Sequence, residues 1–119
     1  MYTNADCTIY HRIYNREKRT ESYRRRVIQG VFWEDRKGAN VIKSGMEKAD
    51  KATIFIPFSV GGFDLKVGDR IVRGTADLEI DGSKISVLED TYEDVLVVTS
   101  VDRMDYGSPD LQHWEVGGR

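Results

Sequence analysis

In this 119-residue sequence the side chains suited to nucleophilic or metal-assisted catalysis are few: one cysteine, Cys7, and two histidines, His11 and His113. On an extended strand Cys7 and His11 share a face, but four residues of strand rise separate their α-carbons by roughly 13 Å. The imidazole cannot activate a thiolate across that gap. A pairing of Cys7 with His113 stays open, although a lone cysteine among β-prone residues reads more simply as a small core hydrophobe. Zinc would need a carboxylate besides these three, and no spacing in the chain resembles a ligand motif. Asp102, Asp105 and Asp110 crowd one turn without the ligand spacing or glycine position of a calcium loop. Gly61-Gly62 and Gly117-Gly118 lack the strand-to-helix context of a phosphate cradle, and no P-loop, nucleophile-elbow or HExxH pattern occurs. The expectation is a protein without catalytic residues, cofactor or metal, and so not an enzyme.

The elements that must position these residues are strands. Asp94 to Arg119 is the organising stretch: Val95, Val97, Thr99 and Val101 alternate with Leu96, Val98 and Ser100, which predicts a central strand covered on both faces, with Val97 in the core. Asp105 to Asp110 supplies turn formers, and Leu111 to Val116 returns as the second arm of a hairpin. Upstream, residues 1–6 read as a polar lead and Cys7 to Tyr14 as a strand. Asn15 to Ser22 reads as a connection, and Tyr23 to Arg36 as a long strand with a bulge or barrel corner at Gly30. Ala52 to Phe58 carries Ile54, Ile56 and Phe58 on one face, with Pro57 at an edge or strand end. Gly68 suits the turn into a strand at Ile71 to Gly74, and a further short strand is expected over Ala76 to Ile80, ending at Asp81-Gly82. Ser83 to Tyr92 has helical spacing at Ile85, Leu88 and Tyr92, with Ser86 and Glu89 at capping-box distance. Six or seven short strands and at most one short helix predict a mainly β chain: a small antiparallel β-barrel with long loops, a layered sandwich being the alternative. Trp33 and Trp114 are expected to bridge core and rim.

The length fits one domain spanning 1–119. A single cysteine and the lack of an apolar stretch after Met1 point to a reducing cytoplasm, and no apolar run is long enough to span a membrane. Net charge is −2 but unevenly spread: between Arg12 and Arg26 seven cations face two acids, a net +5, so the remainder carries −7. From Asp77 to Asp94 seven acids meet only Lys84, a net −6. At opposite ends of a fold, these runs would favour head-to-tail contact with copies of the chain or with charged partners. Arg24, Arg25 and Arg26 read first as a charged, exposed strand edge. Tyr10, Tyr14, Tyr23, Phe32 and Trp33 near the basic run also allow an OB-like barrel that stacks single-stranded nucleic acid, which the acidic remainder opposes. Lys37 to Lys51 reads as a long polar loop, and such loops are commonly functional.

In order, Val31-Phe32-Trp33-Glu34-Asp35, the long loop, Ile54-Phe55-Ile56, Val67-Gly68-Asp69-Arg70-Ile71-Val72 and Val98-Thr99-Ser100-Val101 resemble the head-completion proteins of long-tailed phages, of the head–tail connector or stopper type. The stretches Gly30 to Asp35, Ile54 to Phe58 and His113 to Gly118 look most like an uncharacterised family of structural proteins from prophages of Gram-positive bacteria. The acidic stretch between Gly74 and Asp94 departs from the short hairpin of typical connectors. The resemblance implies a structural virion protein that assembles as a ring under the portal, flanked by portal or adaptor and tail proteins, with passing double-stranded DNA held weakly and no membrane contact. It implies location in the virion, and in the host bacterial cytoplasm during assembly. It also implies that the loop plugs the channel, with interaction residues at Arg24, Arg25, Arg26, Lys37, Lys43, Met46 and Lys48. A tail-completion or other minor virion protein shares these features.

Overall fold

The structure, a computed structural model, describes residues 2–35, 50–80 and 85–119. Six strands, β1 (Ala5–Asn15), β2 (Thr20–Asp35), β3 (Ala52–Pro57), β4 (Arg70–Arg73), β5 (Val95–Met104) and β6 (His113–Gly118), pair antiparallel. They close in the order β1-β2-β3-β6-β5-β4, so the chain is a small antiparallel barrel and not a sandwich. Among the described residues helix is confined to α1 (Ser86–Thr91) and two 3-10 turns, Phe58–Val60 and Pro109–Leu111. No helix among the described residues is long and apolar enough to cross a membrane.

Alternation selects the interior. Cys7 and Ile9 of β1, Ile54 and Ile56 of β3, and Val116 of β6 are buried inside the barrel with Ile71 of β4. The long strand β2 keeps an apolar inner face only because it changes parity: register passes from Cys7↔Ile28 to Ala5↔Val31, three residues against two. Gly30, at φ 84°, takes the extra residue, and its N–H is held by Asp6 Oδ1 at 3.0 Å. Beyond the bulge Val31 and Trp33 face inward again. Pro57 ends β3, where its missing N–H costs nothing to the ladder.

Several sequence expectations are corrected. β1 begins at Ala5, and Asn4 is already anchored by bonds with the Trp33 backbone, so the lead is shorter than residues 1–6. β1 and β2 run on to Asn15 and back from Thr20, which turns half of the expected 15–22 connection into a two-stranded ribbon and leaves residues 16–19 as its turn. In β5 it is Leu96 and Val98 that are buried, while Val97 is half-buried on the outer face. A strand apolar on both sides fits either parity, and barrel closure chooses the one opposite to that expected.

Ala76 to Ile80 forms no strand. It crosses the outside of the barrel as a strap whose backbone groups are met largely by side chains. The buried Thr8 hydroxyl donates to Gly74 O at 2.9 Å and accepts from Ala76 N–H at 2.8 Å. Tyr10 Oη donates to Leu78 O at 2.8 Å, and Tyr92 Oη accepts from Asp77 and Leu78 N–H. Under the strap Tyr10, Tyr23 and Val72 pack on Ala76, Ile80 and Leu88, a second apolar layer outside the barrel. The helical spacing of Ile85, Leu88 and Tyr92 is thereby realised, but Ile85 is the N-cap and the Ser86–Glu89 capping box does not form. The expected Asp81-Gly82 turn lies outside the described residues.

Candidate functional site

Strand directions give the barrel two ends. At the upper end lie Ala5, Arg73, Val95 and Gly118, together with Asp35 and Asp50, between which the 36–49 segment is inserted. At the lower end the β1–β2 ribbon runs past the last β1–β4 pair, Tyr10↔Arg70, to an exposed tip bearing Arg16, Lys18 and Arg19. Asn15 Oδ1 caps the tip by accepting from Glu17 and Lys18 N–H. Lys37, Lys43, Met46 and Lys48 lie outside the described residues.

The three arginines do not form a uniform exposed edge. Register sets Arg24 opposite His11 and Arg26 opposite Ile9, so both have the parity of the barrel interior. Arg25 points outward to the strap, where it meets Glu79 Oε1 at 3.1 Å and Ala76 O at 3.2 Å. Arg26 is half-buried and donates to the carbonyls of Gly62 and Val60, which fastens the 58–64 loop across the lower mouth. Only Arg24 is largely free, its side chain 67% exposed and 3.7 Å from an equally exposed Asp64. The Arg25–Glu79 pair and the Tyr23 N–H bond to Ile80 O also place basic and acidic runs side by side, not at opposite ends.

Between the ribbon and the 58–64 loop lies a cavity of ≈ 430 Å³, lined by Ile9, His11, Arg24, Arg26, Gly62, Phe63 and Asp64. Phe63 is held in place edge-on to Trp114, with ring centroids 4.8 Å apart, while Phe58 lies 4.2 Å from the same indole. At its edge is a buried carboxylate, Asp69, 3% exposed. It accepts from Arg12 N–H at 3.1 Å and Lys66 N–H at 2.8 Å, with His11 Nδ1 at 2.7 Å. Since the carboxylate only accepts, Nδ1 carries the proton of that third bond. Residue spacing could not reveal this dyad: His11 and Asp69 are separated by 58 positions and meet through closure of β1 on β4.

The other chemical candidates are dispersed. Cys7 is fully buried, and burial followed by the nearby Asp6 charge pushes its thiol up to about 12, the opposite of an activated thiolate. His113 is engaged by Leu111 O and Glu115 at the outer face of β6. Asp102, Asp105 and Asp110 are exposed, and Asp105 faces Arg103 at 3.5 Å. Among the described residues no three His, Cys, Asp or Glu side chains converge as a metal-binding group. Of the aromatic residues considered for stacking nucleic acid, Tyr10, Tyr23 and Trp33 are buried, and Trp33 Nε1 donates to Asp35 at 3.0 Å. They are structural; Tyr14 and Phe32 remain accessible.

Fold and site define a closed antiparallel barrel with a basic ribbon and a cationic mouth at one end. The chain belongs to DUF6751, a family of unknown function, whose sequence profile matches residues 2–119. No curated protein and no solved structure is significantly similar to it.

Proposed function

We propose that the protein is a structural component of a tailed phage or prophage virion: a head-closure subunit that forms a ring between portal or adaptor and tail proteins. The observation that supports this reading is the two-ended barrel. A basic ribbon tip projects from one end, and a long insertion joins at the other through Asp35 and Asp50. A ring of such barrels would offer one end to each neighbour, with the 36–49 insertion available to the channel. The cationic tip would meet acidic protein surface, and scattered exposed ion pairs such as Arg24–Asp64 would grip a passing duplex only weakly.

The test is genetic and biochemical. In the phage or prophage that encodes the chain, reversing Arg16, Lys18 and Arg19 to Glu should leave the isolated barrel folded but yield filled heads and unattached tails. Infectious, fully assembled particles after deletion of the gene would overturn the reading.

A further inference from the structure

We propose that the lower barrel mouth is a binding site for a phosphate group, carried as inorganic phosphate or as a small phosphate monoester and held by His11, Arg24 and Arg26. The site is independent of any role in assembly. Its size lies within the usual range for small-molecule pockets, ≈ 430 Å³.

Each wall supplies part of the recognition. Arg24 comes from β2 opposite His11, and Arg26 opposite Ile9, so imidazole and guanidiniums are neighbours on one face of a paired ribbon. Arg26 uses donors on Nη1 and Nη2 to hold the Gly62 and Val60 carbonyls, which fixes its position and leaves its other N–H groups for a ligand. Arg24 has only a weak, exposed partner in Asp64, and that carboxylate already shows the guanidinium facing an oxyanion. Planar guanidinium forks match the oxygen spacing of phosphate. Ile9 and Phe63 add an apolar wall for the body of an ester.

His11 distinguishes phosphate from other oxyanions. Its Nδ1–H is committed to Asp69, and Nε2 has no hydrogen-bond partner among the described residues. Near neutral pH a phosphate carries both P–O⁻ and P–OH forms. A neutral ring can accept from P–OH through Nε2, and an imidazolium can donate from Nε2 to P–O⁻. Sulfate, which carries no proton at this pH, can use only the second arrangement.

An NMR titration of the whole chain at constant ionic strength tests this, with inorganic phosphate, phenyl phosphate and sulfate as probes. Saturable shifts are expected at the amides of Ile9, His11, Arg24, Gly62 and Phe63 with both phosphates. Tighter binding of phenyl phosphate assigns the ester, and equal affinity assigns the free ion. Arg24→Ala, a change at an exposed side chain, should weaken phosphate by about tenfold, while Arg16→Ala at the ribbon tip leaves it unchanged. Shifts confined to the tip, or none, would overturn the site. Sulfate binding as tightly as phosphate would overturn the choice of ligand.

Discussion

His11 Nδ1 and Asp69 Oδ2 lie 2.7 Å apart, and this bond ties the inner face of β1 to the turn that leads into β4. The same carboxylate takes the N–H groups of Arg12 and Lys66, so one side chain joins β1 and the approach to β4 at the seam where the barrel closes. A carboxylate so buried is tolerable only because its oxygens are filled. Backbone bonds tie the same turn to β5 on its other side: Gly68 N–H donates to Val98 O, and Val98 N–H to Asp69 O, each at 2.8 Å.

Asp69→Ala should therefore destabilise the fold by roughly 3 kcal/mol or more, because it strands two backbone N–H groups and an imidazole N–H at once. Asp69→Asn keeps one acceptor oxygen and should cost less. Urea denaturation of the three proteins measures the order, and equal midpoints would show that the seam does not depend on this carboxylate.

Alkaline pH should unfold the protein through two buried acids. Burial raises Cys7 from 9.0 to about 12, and burial followed by the neighbouring Tyr92 raises Tyr10 from 10.0 to about 12. Both are neutral when protonated, so their folded-state pKa values exceed the unfolded ones. The stability they contribute is complete below pH 9 and is lost as pH rises towards about 12, because the unfolded chain ionises first. Thermal melts between pH 8 and 11 should show a falling melting temperature, and Cys7→Ala should make that fall shallower. A melting temperature flat to pH 11 would contradict both shifts.

The barrel was legible where local chemistry permits one answer. Gly30 in an apolar strand demands a bulge, Pro57 a strand end, and Ile54 with Ile56 a buried face, and each behaves so. The parity of β5 was not legible, because Val95 is apolar for a reason invisible in its own strand: it packs on the outer layer around Leu88 and Tyr92. The strap has the pattern of a strand because Leu78 and Ile80 alternate with Asp77 and Glu79, yet Thr8, Tyr10 and Tyr92 meet its polar groups from positions far along the chain. The mouth was hidden for a related reason. Arginines on an alternating strand look exposed until the bulge at Gly30 reverses the inner parity and the β1–β2 register sets Arg24 against His11 and Arg26 against Ile9.

The two faces of β5 can be separated by substitution. Val98 is fully buried and Val97 half-buried. Val98→Asp would bury an unpaired carboxylate at a cost of several kcal/mol, comparable with the stability of a whole small domain. Val97→Asp can reach solvent and should retain a cooperative thermal transition. Soluble, cooperatively melting Val98→Asp protein would place the core on the wrong face.

Gly117 and Gly118 at the end of β6 should differ although they are adjacent and both buried. A Cβ at Gly118 would lie 2.9 Å from Leu96 Cβ and 3.5 Å from Val97 O, atoms fixed by the neighbouring β5 backbone. At Gly117 the close atoms are Asp50 Oδ2 and Ser100 Oγ, each at 2.6 Å, which are ends of side chains that can rotate. Relief at Gly118 must move strand against strand, whereas relief at Gly117 costs mainly the 2.6 Å bond from Thr99 to Asp50. Overpacking of the first kind typically costs about 1–3 kcal/mol. Gly118→Ala should accordingly lower the urea midpoint more than Gly117→Ala does, and hydrogen exchange should report the loss first at the Val97 and Arg119 amides, which pair across this junction. The reverse order of stability would mean that β6 sits less tightly against β5 than these distances require.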